Sequence, residues 1–495
     1  MPLALGIDVG TAAATAVVCD DSHNIVSTGT CEYELLQLPA GGLEQDAEDL
    51  WNGATEATRR ALAAVSTRDV RAISLSTQGG TLIPTDAHGR PVTNAISWLD
   101  QRAIQQAANM SRKLGHEFFY HRTGFRLFGS LPFLQLLRLK KVEPATYAKA
   151  AKFLTVADFL NFRLTGRPLI DPSNAAVSTL FDIVRREWSK ELLAVAGITE
   201  HKLADVIDSG VPIGKLTRNA ASELGLSSDV VVVSGGLDQY CAALGAGAFN
   251  PGDCLLSSGA AWALLFTSER LIFDLNKHLF PGPHVLPGRF GVMTSIPAAG
   301  VVLDWFKENF GTPDDDFFTL SDQEAASVPP GSHKLLFFPH FIGAPTLAAR
   351  GAVVGLTLAH DAPSIYRSIL EGIAYEAAWR ISQLAAVGLR ASRLKMIGGG
   401  ARSRLWQRIL CDVSDLPLSA PSHVEAPALG AALLAAIGVG IFSSPEEAYS
   451  GFASREKLIT PDEEAHGAYA PLFSLYRKAF DEMQGPLKSL AALKL

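Results

Sequence analysis

Two aspartates stand in settings where a carboxylate could do chemistry. Asp8 opens Asp8-Val9-Gly10-Thr11, and Asp238 closes Gly235-Gly236-Leu237-Asp238. In the first stretch a carboxylate, a glycine-permitted tight turn and a hydroxyl suit a Mg2+–phosphate contact, with an oxygen for the cation and N–H and hydroxyl groups for the anion. In the second, Asp229 is followed by four valines at 230–233, too β-branched for a comfortable helix and apolar enough for a strand buried on both faces. That strand is expected to stop at Gly235-Gly236, leaving Asp238 just beyond its carboxyl end and ahead of a helix-like run at 240–248. Open α/β sheets bind ligands in the crevice outside those ends. Each stretch has a plainer reading: Asp238 as a helix N-cap, and Asp8–Thr11 as an ordinary hairpin turn.

A third stretch, Gly398-Gly399-Gly400-Ala401, follows a strand-like run and precedes a helical one, so backbone could approach a flat ligand there. It is not Gly-x-Gly-x-x-Gly, which argues against a nicotinamide-binding fold. None of the 12 histidines has His-Glu-x-x-His spacing, there is no Cys-x-x-Cys, and no Gly-x-Ser-x-Gly marks a serine hydrolase. Asp314-Asp315-Asp316 could ligate Ca2+, with a solvated loop as the plainer reading.

The elements that must position these residues are α/β. Leu3, Leu5, Ile7 and Val9 alternate as a strand, Gly10-Thr11 turns the chain, 14–19 returns it, and a third strand covers 25–34. Asp46 is read as the N-cap of a helix that gathers Leu50, Trp51, Ala54, Ala57, Ala61, Leu62 and Val65 on one face. A strand at 70–76 runs into Gly79-Gly80 and a further one at 82–83, and helices are expected at 131–139 and 157–164. After the Asn-Pro-Gly turn at 250–252 the opening pattern recurs: a strand at 255–256, a turn through Gly259-Ala260, and a returning strand at 262–266. A short strand at 394–397 and a helix at 405–413 follow, then a helix at 465–483 stopped by Gly485-Pro486. Two such openings half a chain apart predict a duplicated architecture with a cleft between halves. The division this suggests is 1–247, 248–440 and a helical extension at 441–495.

At 495 residues the chain should hold two or three domains. A net charge of −7 with no long basic run excludes a nucleic-acid footprint. Five scattered cysteines point to reduced thiols and a cytoplasmic setting. Asp8 inside the first apolar stretch speaks against a signal peptide. Residues 426–442 carry no charge but are short, Ala/Gly-rich and broken by Pro427, so a buried helix rather than a membrane span is expected.

Taken in order, these pieces resemble the FGGY family of carbohydrate kinases, and its xylulokinase-like members in particular. The likeness runs from Leu5 to about Gly438 and is carried by Gly6-Ile7-Asp8-Val9-Gly10-Thr11, Trp98-Leu99-Asp100-Gln101-Arg102, Asp171-Pro172-Ser173-Asn174, Gly235-Gly236-Leu237-Asp238-Gln239, Ile369-Leu370-Glu371-Gly372, 397–403, and Pro427-Ala428-Leu429-Gly430. The resemblance implies a two-domain actin- and hexokinase-like (ribonuclease H-like) duplicated fold. It implies ATP-dependent phosphorylation of a small sugar or polyol such as a ketopentose, with Mg2+. Asp238 would be the general base and, with Asp8, a metal ligand. Gly10, Thr11 and Ala12 would lie on the terminal phosphates, with Gly259 and Ala260 as a second phosphate turn. Gly300, Asp304, Gly399, Gly400, Ala401 and Arg404 would meet the nucleotide, and Gln78, Gly79, Gly80, Trp98, Asp100, Arg102 and Gln239 the sugar. A homodimer is common among such relatives, and neither nucleic acid nor membrane is an expected partner.

Several positions depart from the family pattern. Ala12 and Thr15 stand where a hydroxyl residue and a basic residue are usual, and Gly259-Ala260 replaces Gly-Thr. Gln78-Gly79-Gly80 replaces a bulky polar pair, from which a larger or differently polar sugar pocket is expected. Residues 343–346 shorten another family segment. Kinases for glycerol, erythritol or a sugar acid, and a non-catalytic sugar- or nucleotide-binding regulator of the same fold, are the competing readings.

Overall fold

The computed structural model describes residues 1–276, 278–311, 316–342, 350–421 and 425–493. Asp314, Asp315 and the departure at 343–346 lie outside the described residues. The chain forms two compact units that interleave in sequence: unit 1 is Met1–Phe249, Ser268–Val292 and Glu425–Ser454, and unit 2 is Asn250–Thr267, Met293–Val424 and Arg455–Leu495. This differs from a linear division at 247 and 440, because the segments 268–292 and 425–454 return to unit 1.

Unit 1 is built on a six-stranded sheet in the order Pro212–Lys215, Val231–Leu237, Val70–Thr77, Leu3–Val9, Ala13–Asp20, Ile25–Glu32. The three central strands are parallel to one another and the rest join antiparallel. Both faces are covered. Gly6 opposes Val17 while Gly29 opposes Ala16, so these two glycines point to opposite faces of the sheet. A Cβ on Gly6 would lie 2.0 Å from the Ala428 carbonyl oxygen, and one on Gly29 would lie 2.3 Å from that of Ala57. Bare glycine thus lets helix Ala426–Gly438 dock on one face and helix Ala47–Leu62 on the other. Asp46 caps the latter as expected, accepting from the Glu48 N–H at 2.9 Å, and its apolar stripe is buried. Ala426–Gly438 is the buried helix expected of the uncharged stretch. Among the described residues no helix is long and apolar enough to cross a membrane.

Unit 2 repeats the strand–turn–strand opening. Asp253–Ser258 pairs antiparallel with Trp262–Ser268 and parallel with Arg393–Gly398. Helix Ala362–Ala386 packs behind them and is tied to helix Glu463–Ala492 by buried polar groups. Tyr469 donates to Glu371 and Tyr476 to Glu376, each at 2.9 Å, and Arg367 bonds both Glu371 and Tyr469. The last helix does not stop at Gly485-Pro486: it runs through Pro471 and Pro486 to Ala492. Each proline removes one backbone donor, a loss the helix absorbs while Tyr469, Tyr476 and Phe480 anchor it in the core. All five cysteines are free thiols.

Candidate active site

Asp8, Ser76 and Asp238 sit at the carboxyl ends of three adjacent parallel strands. The register places Asp8 opposite Ser76 and Gly236 opposite Ser76, with Leu237 opposite Thr77. Strand Val231–Leu237 therefore continues through both glycines rather than stopping at them. The reason is space: a Cβ on Gly235 would fall 1.7 Å from the Leu75 carbonyl oxygen and one on Gly236 would fall 2.1 Å from Val285 Cγ1. Asp238 is the first residue of helix Asp238–Gly245, whose N-cap is Leu237, so the plainer N-cap reading does not hold. Its carboxylate accepts from the adjacent Gln239 N–H at 2.6 Å.

Asp8 and Asp238 are both partly buried. Burial, the charge of Asp238 and the opposing Ser76 hydroxyl, which donates to Asp8 at 2.6 Å, together set the Asp8 carboxyl at about 7. Burial, offset by the Gln239 N–H, sets Asp238 at about 6. No lysine or arginine contributes to either shift. Among the described residues no cluster of three or more His, Cys, Asp or Glu could hold a metal by itself. Two hard carboxylates without a side-chain cation fit Mg2+, which takes one or two such ligands and completes its shell with water and phosphate oxygens.

The turn after Asp8 is braced from behind. The Gly10 N–H bonds the Ala13 carbonyl at 2.9 Å, and the Tyr33 hydroxyl donates to the carbonyls of Gly10 and Ala13 at 2.7 and 3.0 Å. Gln45 donates to the Thr11 carbonyl at 2.8 Å. Ala12 is exposed, and Thr15 lies along the next strand beside Thr30, at 3.3 Å between hydroxyls.

The expected sugar residues separate into two kinds. Trp98 presents its ring to solvent, 42% exposed. Asp100 is fully buried and accepts from Leu43 N, Arg102 N and Arg102 Nε at 2.7–3.0 Å. Burial opposes its charge, but these donors outweigh it and hold the carboxyl below its usual range. Arg102 also pairs with Glu44 at 2.6 Å, so Asp100 and Arg102 form a latch inside unit 1. Gln78 is buried with its amide engaged by Gln45, Thr11 and Thr81. Gln239 is half-buried beside Asp238. The glycines at 79 and 80 do not open the larger pocket expected of them. A Cβ on Gly79 would meet Leu237 at 2.5 Å, and Gly80 holds φ +81° with Trp98 and Val177 each 3.3 Å from where its Cβ would be.

In unit 2, Gly259, Ala260, Asp304, Gly399 and Arg404 are exposed, while Gly300, Gly400 and Ala401 are half-buried. The N–H groups of Ala299, Gly300 and Val301 donate to the carbonyls of Ala260 and Gly259 at 3.1–3.2 Å, joining the turn to helix Gly300–Phe310. Gly398 has φ +88° and packs against Ser258; Gly399 is open, with Ser258 O 3.9 Å from an ideal Cβ.

Sequence reasoning missed the residues that act from behind. Tyr33 is one. Ser173 is another: its hydroxyl donates to buried Asp171 and accepts from the Leu237 N–H at 2.9 Å, fixing the backbone one residue before Asp238. The Asp171-Pro172-Ser173-Asn174 stretch was a signal for the latter; nothing local to Tyr33 marks its role.

The chain matches the N-terminal domain of the FGGY family of carbohydrate kinases over residues 3–245 and the C-terminal domain of that family over 256–439. It is 30% identical over 486 residues to a xylulose kinase of Bacillus subtilis, covering 97% of each chain. It is 28% identical over 509 residues to an autoinducer-2 kinase of Escherichia coli K12, covering 97% of this chain and 94% of that one. The fold matches the crystal structure of a xylulose kinase from Rhodospirillum rubrum with a TM-score of 0.92 at 25% identity, covering 98% and 99% of the two chains. Both domains in order, over almost the whole length, place this chain in the FGGY family of carbohydrate kinases.

Proposed function

We propose that the chain transfers the γ-phosphoryl group of ATP to a hydroxyl of a small ketose, a ketopentose such as xylulose, with Asp238 as general base. The observation that carries this reading is the pair Asp8 and Asp238, set side by side with Ser76 at the ends of parallel strands. Asp238 accepts the proton from the attacking hydroxyl as the new O–P bond forms and the bond to the β-phosphate oxygen breaks, releasing ADP. Asp8 and Asp238 are the residues that would hold Mg2+, which when bound offsets phosphate charge. Thr11 offers its backbone N–H group to phosphate, Gly10 leaves the approach free of a side chain, and Trp98 presents an apolar face to the sugar. The names of the relatives support xylulose, and the departures at Thr15 and Ala260 bear on phosphate affinity rather than on the base. A cytosolic setting is supported by the five free thiols.

The test is ADP release with Mg·ATP over a panel of ketopentoses, glycerol, erythritol, aldonates and autoinducer-2, on wild type and Asp238→Asn together. Sugar-dependent release that collapses in the variant is expected. Full turnover in Asp238→Asn would remove the base. A sugar that shifts the melting curve without raising turnover would favour the non-catalytic regulator. Light scattering on the same sample reads whether the chain forms the homodimer the family suggests.

A further inference from the structure

Four side chains behind the Gly10–Thr11 turn are joined by hydrogen bonds whose directions are dictated by chemistry. The starting point is the Thr11 carbonyl, which can only accept. Gln45 Nε2 donates to it at 2.8 Å, so Gln45 Oε1 must face the other way, where it accepts from Gln78 Nε2 at 3.0 Å. That leaves Gln78 Oε1 toward the hydroxyls of Thr11 and Thr81, each donating at 3.3 Å. With its hydrogen directed at Gln78, the Thr11 hydroxyl offers a lone pair, and Trp98 Nε1 donates to it at 2.9 Å. Turning either amide over would set N–H against N–H or oxygen against carbonyl, so one orientation satisfies the whole chain. Gln45 and Gln78 are 1% and 3% exposed, so each relies on these partners rather than on bulk solvent.

The far end of this chain is different. Trp98 is not held by burial, and its side chain is oriented at its polar edge by Thr11. Its backbone N–H reaches Thr81 at 3.3 Å, the same hydroxyl that bonds Gln78. We propose that Gln45 is a positioning residue for the acceptor sugar: through Gln78 and the Thr11 hydroxyl it holds the exposed Trp98 indole as the apolar face on which the sugar's carbon–hydrogen bonds rest. This rests on the kinase reading above. A corollary is that Thr11 meets phosphate through its backbone N–H, its hydroxyl being committed to Gln78 and Trp98.

The test uses the full-length protein, 15N-labelled, without ligand. Of the seven tryptophans, the Trp98 indole N–H resonance is the one that disappears in Trp98→Phe. Gln45→Leu and Thr11→Val are expected to shift that resonance and speed its hydrogen exchange, whereas Thr11→Ser, which keeps the hydroxyl, holds it near its wild-type position. In kinetics Gln45→Leu should raise the sugar KM about tenfold while moving the ATP KM far less. If Gln45→Leu does not fold, Gln45→Met, close to glutamine in length but with neither the amide donor for Thr11 nor the oxygen that accepts from Gln78, breaks the same links. An indole resonance and sugar KM unmoved in a folded Gln45 variant would overturn the proposal, as would equal rises in both KM values. A wild type that turns over no sugar would count against the kinase reading alone, because the indole resonance still reads the relay.

Discussion

The two strand–turn–strand openings differ in what stands behind the turn. In unit 1 the turn at Gly10–Thr11 is braced by side chains drawn from distant sequence: the Tyr33 hydroxyl, the Gln45 amide, the Trp98 indole. In unit 2 the turn at Gly259–Ala260 is exposed and joined to helix Gly300–Phe310 by backbone groups. Side-chain chemistry has gathered in one copy of the architecture and backbone shape in the other. The ligand-facing turn of unit 1 should therefore be the more sensitive to loss of polar atoms, and the glycine-lined surface of unit 2 the more sensitive to added carbon that a ligand would meet.

The strongest way to break this contrast is Asp238→Asn. General-base catalysis is worth roughly 10²–10⁴-fold, and kcat should fall by about that factor. In the wild type the base works as the carboxylate, so kcat/KM should climb as pH rises through about 6, where burial has set Asp238. A pH–rate profile flat between 5 and 7 would count against Asp238 as the titrating group.

Asp8→Asn sharpens the same point through stability. The folded protein holds the Asp8 proton up to about 7 against 3.8 for the ordinary side chain, so wild-type stability falls as pH rises between those values. Asparagine does not titrate and can still accept from Ser76. The variant should be more stable than wild type at pH 8, by on the order of a few kcal/mol, with the gap closing toward pH 4. Calorimetry at the two pH values reads it, and turnover in the variant should be lost.

Gly399→Val addresses unit 2. An added Cβ has open space within the protein, so any effect on catalysis comes from a ligand meeting it. The ATP KM should rise about tenfold with the sugar KM unchanged. Gly400→Val is the contrast: its Cβ would lie 3.0 Å from the Ser258 side chain and 3.1 Å from Met396, so its melting temperature should drop as well. A sugar KM that rises more than the ATP KM in Gly399→Val would reverse the assignment of the two units.

The smallest effect is expected for Tyr33→Phe, which removes one hydroxyl donating to two carbonyls. A loss of about 0.5–1.5 kcal/mol in stability and a modest rise in ATP KM should follow, measured by denaturant unfolding and initial rates.

Much of the frame was legible because it is local. The alternation at 3–9, the valines at 230–233 and the Asp46 cap each declare an element within a few residues, and Asp8 and Asp238 follow from where those elements end. What was not legible is contact across the sequence. Gln45 lies 34 residues from Thr11 and Ser173 lies 64 from Leu237. Gly79 reads in sequence as a vacated position, whereas in the fold Leu237 and Val177 occupy the space a side chain would need. Helix Ala426–Gly438 was recognised as buried, but its unit depends on bare glycines at 6 and 245 that accept its backbone, a match invisible from either segment alone.

That returning helix also sets a clock. Sheet residues of unit 1 are complete at Leu237, yet the face that receives Ala426–Gly438 stays uncovered until the ribosome has released the latter. At about 5–20 residues per second the interval from Leu237 to Gly438 is on the order of ten to forty seconds. Through that time a nascent sheet carries exposed apolar strands, the state in which chains associate wrongly or recruit chaperones. Synthesis rate over the stretch encoding unit 2 is therefore a determinant of the yield of unit 1.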